Sequence, residues 1–118
     1  MAQQQYTGGC HCGAVRFTVD VDLDKTISCN CSICAKRGLI LGFAPVDAFQ
    51  LHAGDGETQQ YLFNKRVIQH QFCRTCGVEA FSYGKLPDGT QMVAINARCL
   101  DGVDVATLKP APYDGAAH

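Results

Sequence analysis

The chain has 118 residues, 47% of them hydrophobic and 18% charged, with a formal net charge of −1. That length suits one domain built on one core, and the hydrophobic share excludes disorder as the default. The ten basic residues are scattered rather than massed, which argues against the positive stripe that nucleic acid requires.

The opening MAQQQYTGGC has neither the basic start nor the apolar run of a secretory signal. No stretch approaches the roughly 20 apolar residues of a membrane helix. A cytosolic location without membrane association is therefore expected, and in a reducing compartment the eight cysteines point to metal binding or thiol chemistry rather than to disulfides.

In chain order, the first element is a strand within Gly13 to Asp22, where Val15, Phe17, Val19 and Val21 alternate with Arg16, Thr18 and Asp20. Cys31 to Arg37 has room for a helical turn or two. Leu39 to Ala44 is a short apolar run stopped by Pro45 and is expected as a buried strand. Val46 to Phe49 is another helical-turn candidate, and Gly54-Asp55-Gly56 reads as a turn. Strands follow at Val67 to Phe72, Glu79 to Tyr83 and Gln91 to Ala97. The last two are joined as a hairpin by Gly84 to Gly89, in which proline presets φ and glycine admits a positive one. Val103 to Lys109 is a third helical-turn candidate, and Pro110-Ala111-Pro112 opens a tail expected to lie loosely on the surface. With no repeat, linker or low-complexity segment, residues 1–118 read as one domain dominated by antiparallel strands.

Seven cysteines fall into three tight clusters: Cys10/Cys12, Cys29/Cys31/Cys34 and Cys73/Cys76. The two outer pairs each end in Cys-Gly, and a glycine there lets the backbone turn so that amides point back at the thiolates. They read as halves of one closed, four-thiolate zinc site that clips the first strand to the later sheet. Pairs of buried free thiols are the plainer alternative. The middle cluster packs three thiolates into six residues without a glycine after Cys31 or Cys34, so it can wrap one face of a tetrahedral zinc and leave the fourth position open. An open position suits catalysis, because zinc accepts sulfur and a small thiol can occupy it. The plainer alternative is a second structural site completed by Cys99, His11, His52 or His70.

Gly9-Cys10-His11-Cys12-Gly13, Cys29-Asn30-Cys31-Ser32-Ile33-Cys34 and Phe72-Cys73-Arg74-Thr75-Cys76-Gly77, in that order, resemble the glutathione-dependent formaldehyde-activating (centromere-protein-V-type) family. The resemblance runs from Gly9 to about Asp101 and takes in Val93 to Asp101. It implies a mainly β, zinc-stabilised antiparallel fold similar to Mss4. It also implies a structural zinc on Cys10, Cys12, Cys73 and Cys76, and a loosely held catalytic zinc on Cys29, Cys31 and Cys34. The implied activity is of carbon–sulfur lyase type, the condensation of glutathione with formaldehyde to S-(hydroxymethyl)glutathione. A non-catalytic zinc-stabilised binding module and a thiol redox protein using Cys99 are the alternatives.

Other residues carry two readings each. Lys36-Arg37, Lys65, Arg66, Arg74 and Arg98 can meet the carboxylates of glutathione, or can be ordinary surface charge. His70 is either a partner to a thiolate or a partly buried strand histidine. Cys99 is either an inert buried thiol or a redox nucleophile, the latter requiring a lowered pKa.

Overall fold

Among residues 3–62 and 68–114, which the computed structural model describes, the chain forms β1 (Gln4–Gly9), β2 (Arg16–Val21), β3 (Ile27–Cys29), α1 (Ser32–Arg37), β4 (Ile40–Pro45), β5 (Phe49–Ala53), β6 (Thr58–Tyr61), β7 (Gln69–Cys73), β8 (Glu79–Lys85), β9 (Gln91–Asn96) and β10 (Ala111–Tyr113). The fold is mainly β. Three strands make one sheet in the order β1-β2-β5, and seven make the other, β10-β3-β4-β9-β8-β7-β6. All pairings are antiparallel except β10 on β3.

The alternation in β2 decides how the two sheets meet. Phe17, Val19 and Val21 are buried while Arg16, Thr18 and Asp20 are not, so one face of the small sheet is apolar. It packs on Ala44, Phe81, Val93 and Ile95 of the large sheet. The rings of Phe17, Phe49, Phe81 and Tyr83 join the layers, with centroids 5.0–5.3 Å apart along Phe17–Phe49–Phe81–Tyr83.

On β4, Gly42 and Ala44 face this core, so Leu41 and Phe43 project from the opposite face. A second, smaller apolar cluster forms there from Ile33, Cys34, Leu39 and Leu41, with Ile27, Cys29, Cys31 and Ala94 packed against it. It seats α1 and the three-cysteine segment on the large sheet. Phe43, expected inside a buried strand, is 44% exposed because it lies on this outer face and takes no part in the second cluster.

The hairpin between β8 and β9 forms as expected, with β8 running two residues further, to Lys85, which pairs with Gln91, and β9 ending at Asn96. The helical-turn candidates appear as α1 and as 3-10 turns at Val46–Ala48 and Val105–Thr107. β7 begins at Gln69; Val67, the start of the expected strand, lies outside the described residues. Two corrections concern strands. β1, β3, β5 and β6 were not expected: β1 and β6 are polar and β3 has only three residues, while the alternation of Phe49, Leu51 and Ala53 in β5 went unread. The expected loose tail is instead β10, parallel to β3, where the Ala111 amide donates to the Thr26 carbonyl and the Asn30 amide donates to the Tyr113 carbonyl. An outermost strand tolerates Pro112 because its missing donor leaves no ladder position unfilled.

Candidate metal centres

The first centre is built by two turns at the ends of strands. Cys10 and Cys12 follow β1; Cys73 ends β7, and Cys76 lies in the turn towards β8. The Cys10 amide donates to the Val15 carbonyl and the Val15 amide donates back to Cys10 Sγ at 3.3 Å. In the other turn the amides of Thr75 and Cys76 donate to Cys73 Sγ at 3.3 and 3.5 Å. Both turns require a left-handed residue, Gly13 at φ 87° and Gly77 at φ 80°, the role their Cys-Gly spelling suggested.

The four Sγ atoms lie within 4.8 Å of one another, although the two pairs are about sixty positions apart in sequence. Cys10 to Cys12 is 3.7 Å and Cys12 to Cys73 is 3.6 Å, too long for disulfides, and all eight cysteines are free. A tetrahedron with zinc–sulfur arms of ~2.3 Å has edges of about 3.8 Å, so the sulfur set fits that ion.

Its charge state favours a cation as well. Burial opposes ionisation of Cys76, but the amides of Val78, Cys12 and His11 and the neighbouring Cys73 outweigh it and pull the thiol down to about 6. For Cys12 the Ala14 amide favours the thiolate, yet burial and the sulfurs of Cys73, Cys10 and Cys76 push it up to about 11. Crowded sulfurs cannot all ionise beside one another without a positive charge between them.

The second centre comes from one continuous segment. Cys29 ends β3, Cys31 caps the N-terminus of α1 and Cys34 lies in its first turn. Their sulfurs also lie within 4.8 Å of one another. The Cys31 amide donates to Cys29 Sγ at 3.4 Å. The Cys31 thiol is shifted by two opposed effects: burial raises its pKa, but the amides of Cys34 and Ile33 and the sulfurs of Cys34 and Cys29 more than compensate, so it is lowered. Cys34 is raised, first by burial and then by the charges of Cys31 and Cys29. Asn30 is tied to the C-terminal strand, its side chain donating to Asp114 Oδ1 at 3.0 Å.

Among the described residues no fourth ligand joins this set. His52 Nε2 hydrogen-bonds Thr18 Oγ1, His11 is exposed, and His70 Nδ1 meets Glu79 Oε2 at 2.8 Å. His70 is therefore a strand histidine partnered by a carboxylate, and at 4% exposure it is fully rather than partly buried. Cys99 stays outside both sulfur sets, with its thiol directed at the Glu79 carbonyl. Burial, then the charges of Cys10, Cys76 and Glu79, pushes it up to about 11, opposite to what a redox nucleophile needs.

The basic residues separate. Arg37 is not loose surface charge: it pairs with the buried Glu79 and lies over the Phe72 ring, 5.4 Å from its centroid. Arg98 Nε donates to the Gly38 carbonyl at the end of α1, and Arg74 Nε donates to the Thr58 carbonyl. Lys36 is exposed, and Lys65 and Arg66 lie outside the described residues. Glu79 went unnoticed in the sequence; its one signal is an acidic residue at the start of an apolar strand, Glu79-Ala80-Phe81.

The sequence model of a family described as glutathione-dependent formaldehyde-activating enzyme matches residues 5–113. Among solved structures, the chain is similar to a protein of Rhodobacter sphaeroides known from a crystal structure, with 30% sequence identity and a TM-score of 0.79. That similarity covers 90% of this chain and 97% of the other.

Proposed function

Because the chain belongs to the glutathione-dependent formaldehyde-activating family, we propose that it is a zinc-dependent enzyme of carbon–sulfur lyase type that joins glutathione to formaldehyde as S-(hydroxymethyl)glutathione. Cys10, Cys12, Cys73 and Cys76 hold a structural zinc, and Cys29, Cys31 and Cys34 hold a more loosely bound zinc at which the thiol is activated. The observation that carries this reading is the inequality of the two sulfur sets: four sulfurs gathered from distant strands, against three on one short segment.

In the reaction the thiol sulfur forms a bond to the formaldehyde carbon, the carbonyl π-bond breaks, and the thiol proton ends on the new hydroxyl oxygen. When bound, zinc supplies a lowered thiol pKa and a polarised carbonyl. The chain itself supplies position. Cys29 is fixed by its strand, and Cys31 and Cys34 by the first turn of α1, whose buried residues Ile33 and Cys34 pack with Leu39 and Leu41. Three sulfurs held this way would hold zinc from one side, and a thiol bound beside them would meet formaldehyde as an oriented pair rather than in a bimolecular encounter. Reduced cysteines of this kind suit a reducing compartment such as the cytosol. Among the described residues no helix is long and apolar enough to cross a membrane.

The test combines zinc analysis with the rate of adduct formation above the spontaneous reaction, followed by NMR with labelled formaldehyde. Two zinc ions per chain are expected in the native protein. Cys31→Ser is expected to lose one of them and the rate enhancement while keeping its circular dichroism spectrum. Two equally tight zinc ions that ignore glutathione, in a protein without rate enhancement, would establish the binding-module alternative instead.

A further inference from the structure

The Glu79 carboxylate is 2% exposed and accepts from Arg37 on one oxygen while His70 Nδ1 meets the other. Exchanging a buried ion pair for well-packed apolar side chains is often neutral or stabilising. Stability alone therefore gives no reason for a carboxylate at this place. Its effect on Arg37 does, because it fixes where the guanidinium points.

Arg37 is held by Glu79 on one side and by the Phe72 ring beneath it, yet 31% of its side chain stays open to solvent. Of the five N–H donors in a guanidinium, one hydrogen-bonds Glu79 among the described residues. The remaining fork can take a second carboxylate, and its geometry favours a planar, bidentate acceptor. Arg37 also follows Cys34 by three positions on α1, the spacing that puts two side chains on one helix face with Cβ atoms about 5–6 Å apart. Its rivals are less suited. Arg98 is committed to the carbonyl that ends the helix, and Arg74 belongs to the other cysteine turn.

Resting on the reading that a thiol enters at Cys29, Cys31 and Cys34, we propose that Arg37, oriented by Glu79, receives a carboxylate of that thiol and so selects acidic thiols over neutral ones. Arg37 is then a substrate-binding residue and Glu79 a positioning residue that acts through it.

The experiment is a spectral titration of cobalt-loaded protein with glutathione, its diethyl ester and 2-mercaptoethanol, which reads thiol binding without any turnover. Native protein is expected to bind glutathione at least tenfold more tightly than the diethyl ester. In Arg37→Gln the glutathione Kd rises at least tenfold while the ester's stays within twofold; Arg37→Lys falls between, and Glu79→Gln weakens glutathione selectively. Equal affinity for acid and ester in the native protein overturns the proposal, and that comparison needs no variant to fold. Equal weakening of both thiols in Arg37→Gln overturns it too, since that marks a structural role. A cobalt spectrum that responds to no thiol overturns this proposal together with the reading on which it rests, whereas a response to all three thiols alike leaves that reading standing and removes only Arg37 from it.

Discussion

Replacing Cys73 by serine separates the two sulfur clusters most sharply. Cys73 is 1% exposed, and its sulfur stands 3.6 Å from that of Cys12, 61 positions earlier. A metal held across that span closes a long loop, and the chain-entropy relation for such a cross-link gives about 4 kcal/mol at 25 °C. For the short span from Cys29 to Cys34 the same relation gives about 2 kcal/mol. At this chain size ~1 kcal/mol moves the melting midpoint by about 4 °C. The zinc-loaded Cys73→Ser protein is therefore expected to melt at least ~15 °C below the native protein, and Cys31→Ser no more than ~8 °C below it. Thermal melting by circular dichroism at fixed zinc, with the zinc content of each sample measured, reads both numbers. A Cys73→Ser chain that never folds lies on the expected side. Equal drops, or a larger one for Cys31→Ser, would refute the loop-closure reasoning and with it the assignment of the four-sulfur set to the fold.

Gly77→Ala introduces a side chain at φ 80° with no atom within 4 Å of the added Cβ, so the cost is backbone strain alone, about 1–2 kcal/mol. A urea midpoint unchanged by this substitution would contradict the left-handed turn. Ending the chain after Pro110 removes β10 from β3 and takes away Tyr113 and Asp114, to which Asn30 donates. The three-cysteine set is expected to lose zinc first in a chelator titration of this truncated chain, while the four-sulfur set keeps it; simultaneous loss would deny β10 that role. Cys99, pushed up to about 11, is almost wholly protonated at neutral pH. Its alkylation is expected to be slow at pH 7 and to quicken steadily as the pH is raised, because burial, the largest cause, disfavours the thiolate. Mass spectrometry of timed samples measures this, and fast labelling at pH 7 would contradict the burial that raises the thiol.

Legibility followed local pattern. The period-two run from Val15 to Val21 announced β2, and Gly84 to Gly89 announced the β8–β9 hairpin, because each element's signal lies within its own residues. β1 and β6 were hidden for the opposite reason: QQYTGG and TQQY acquire their strand form from the neighbours they pair with. Proline at 110 and 112 read as a loose tail, yet an edge strand has room for it. The two sulfur sets were legible from spacing and from Gly13 and Gly77. Arg37 was visible but left with two readings, since what orients it is Glu79, 42 positions away.

By itself the sequence determined which sulfurs belong together in the local segment Cys29 to Cys34, which glycines must turn the backbone, and that the chain is mainly β. Those properties follow from spacing and steric freedom over a few residues. The sequence also paired Cys10 and Cys12 with Cys73 and Cys76, but only the tertiary structure gave that set its geometry, laid β10 beside the three-cysteine segment, and set the buried Glu79 against Arg37. These contacts join residues far apart in the chain, and their geometry is decided by how the two sheets pack, which no local pattern records.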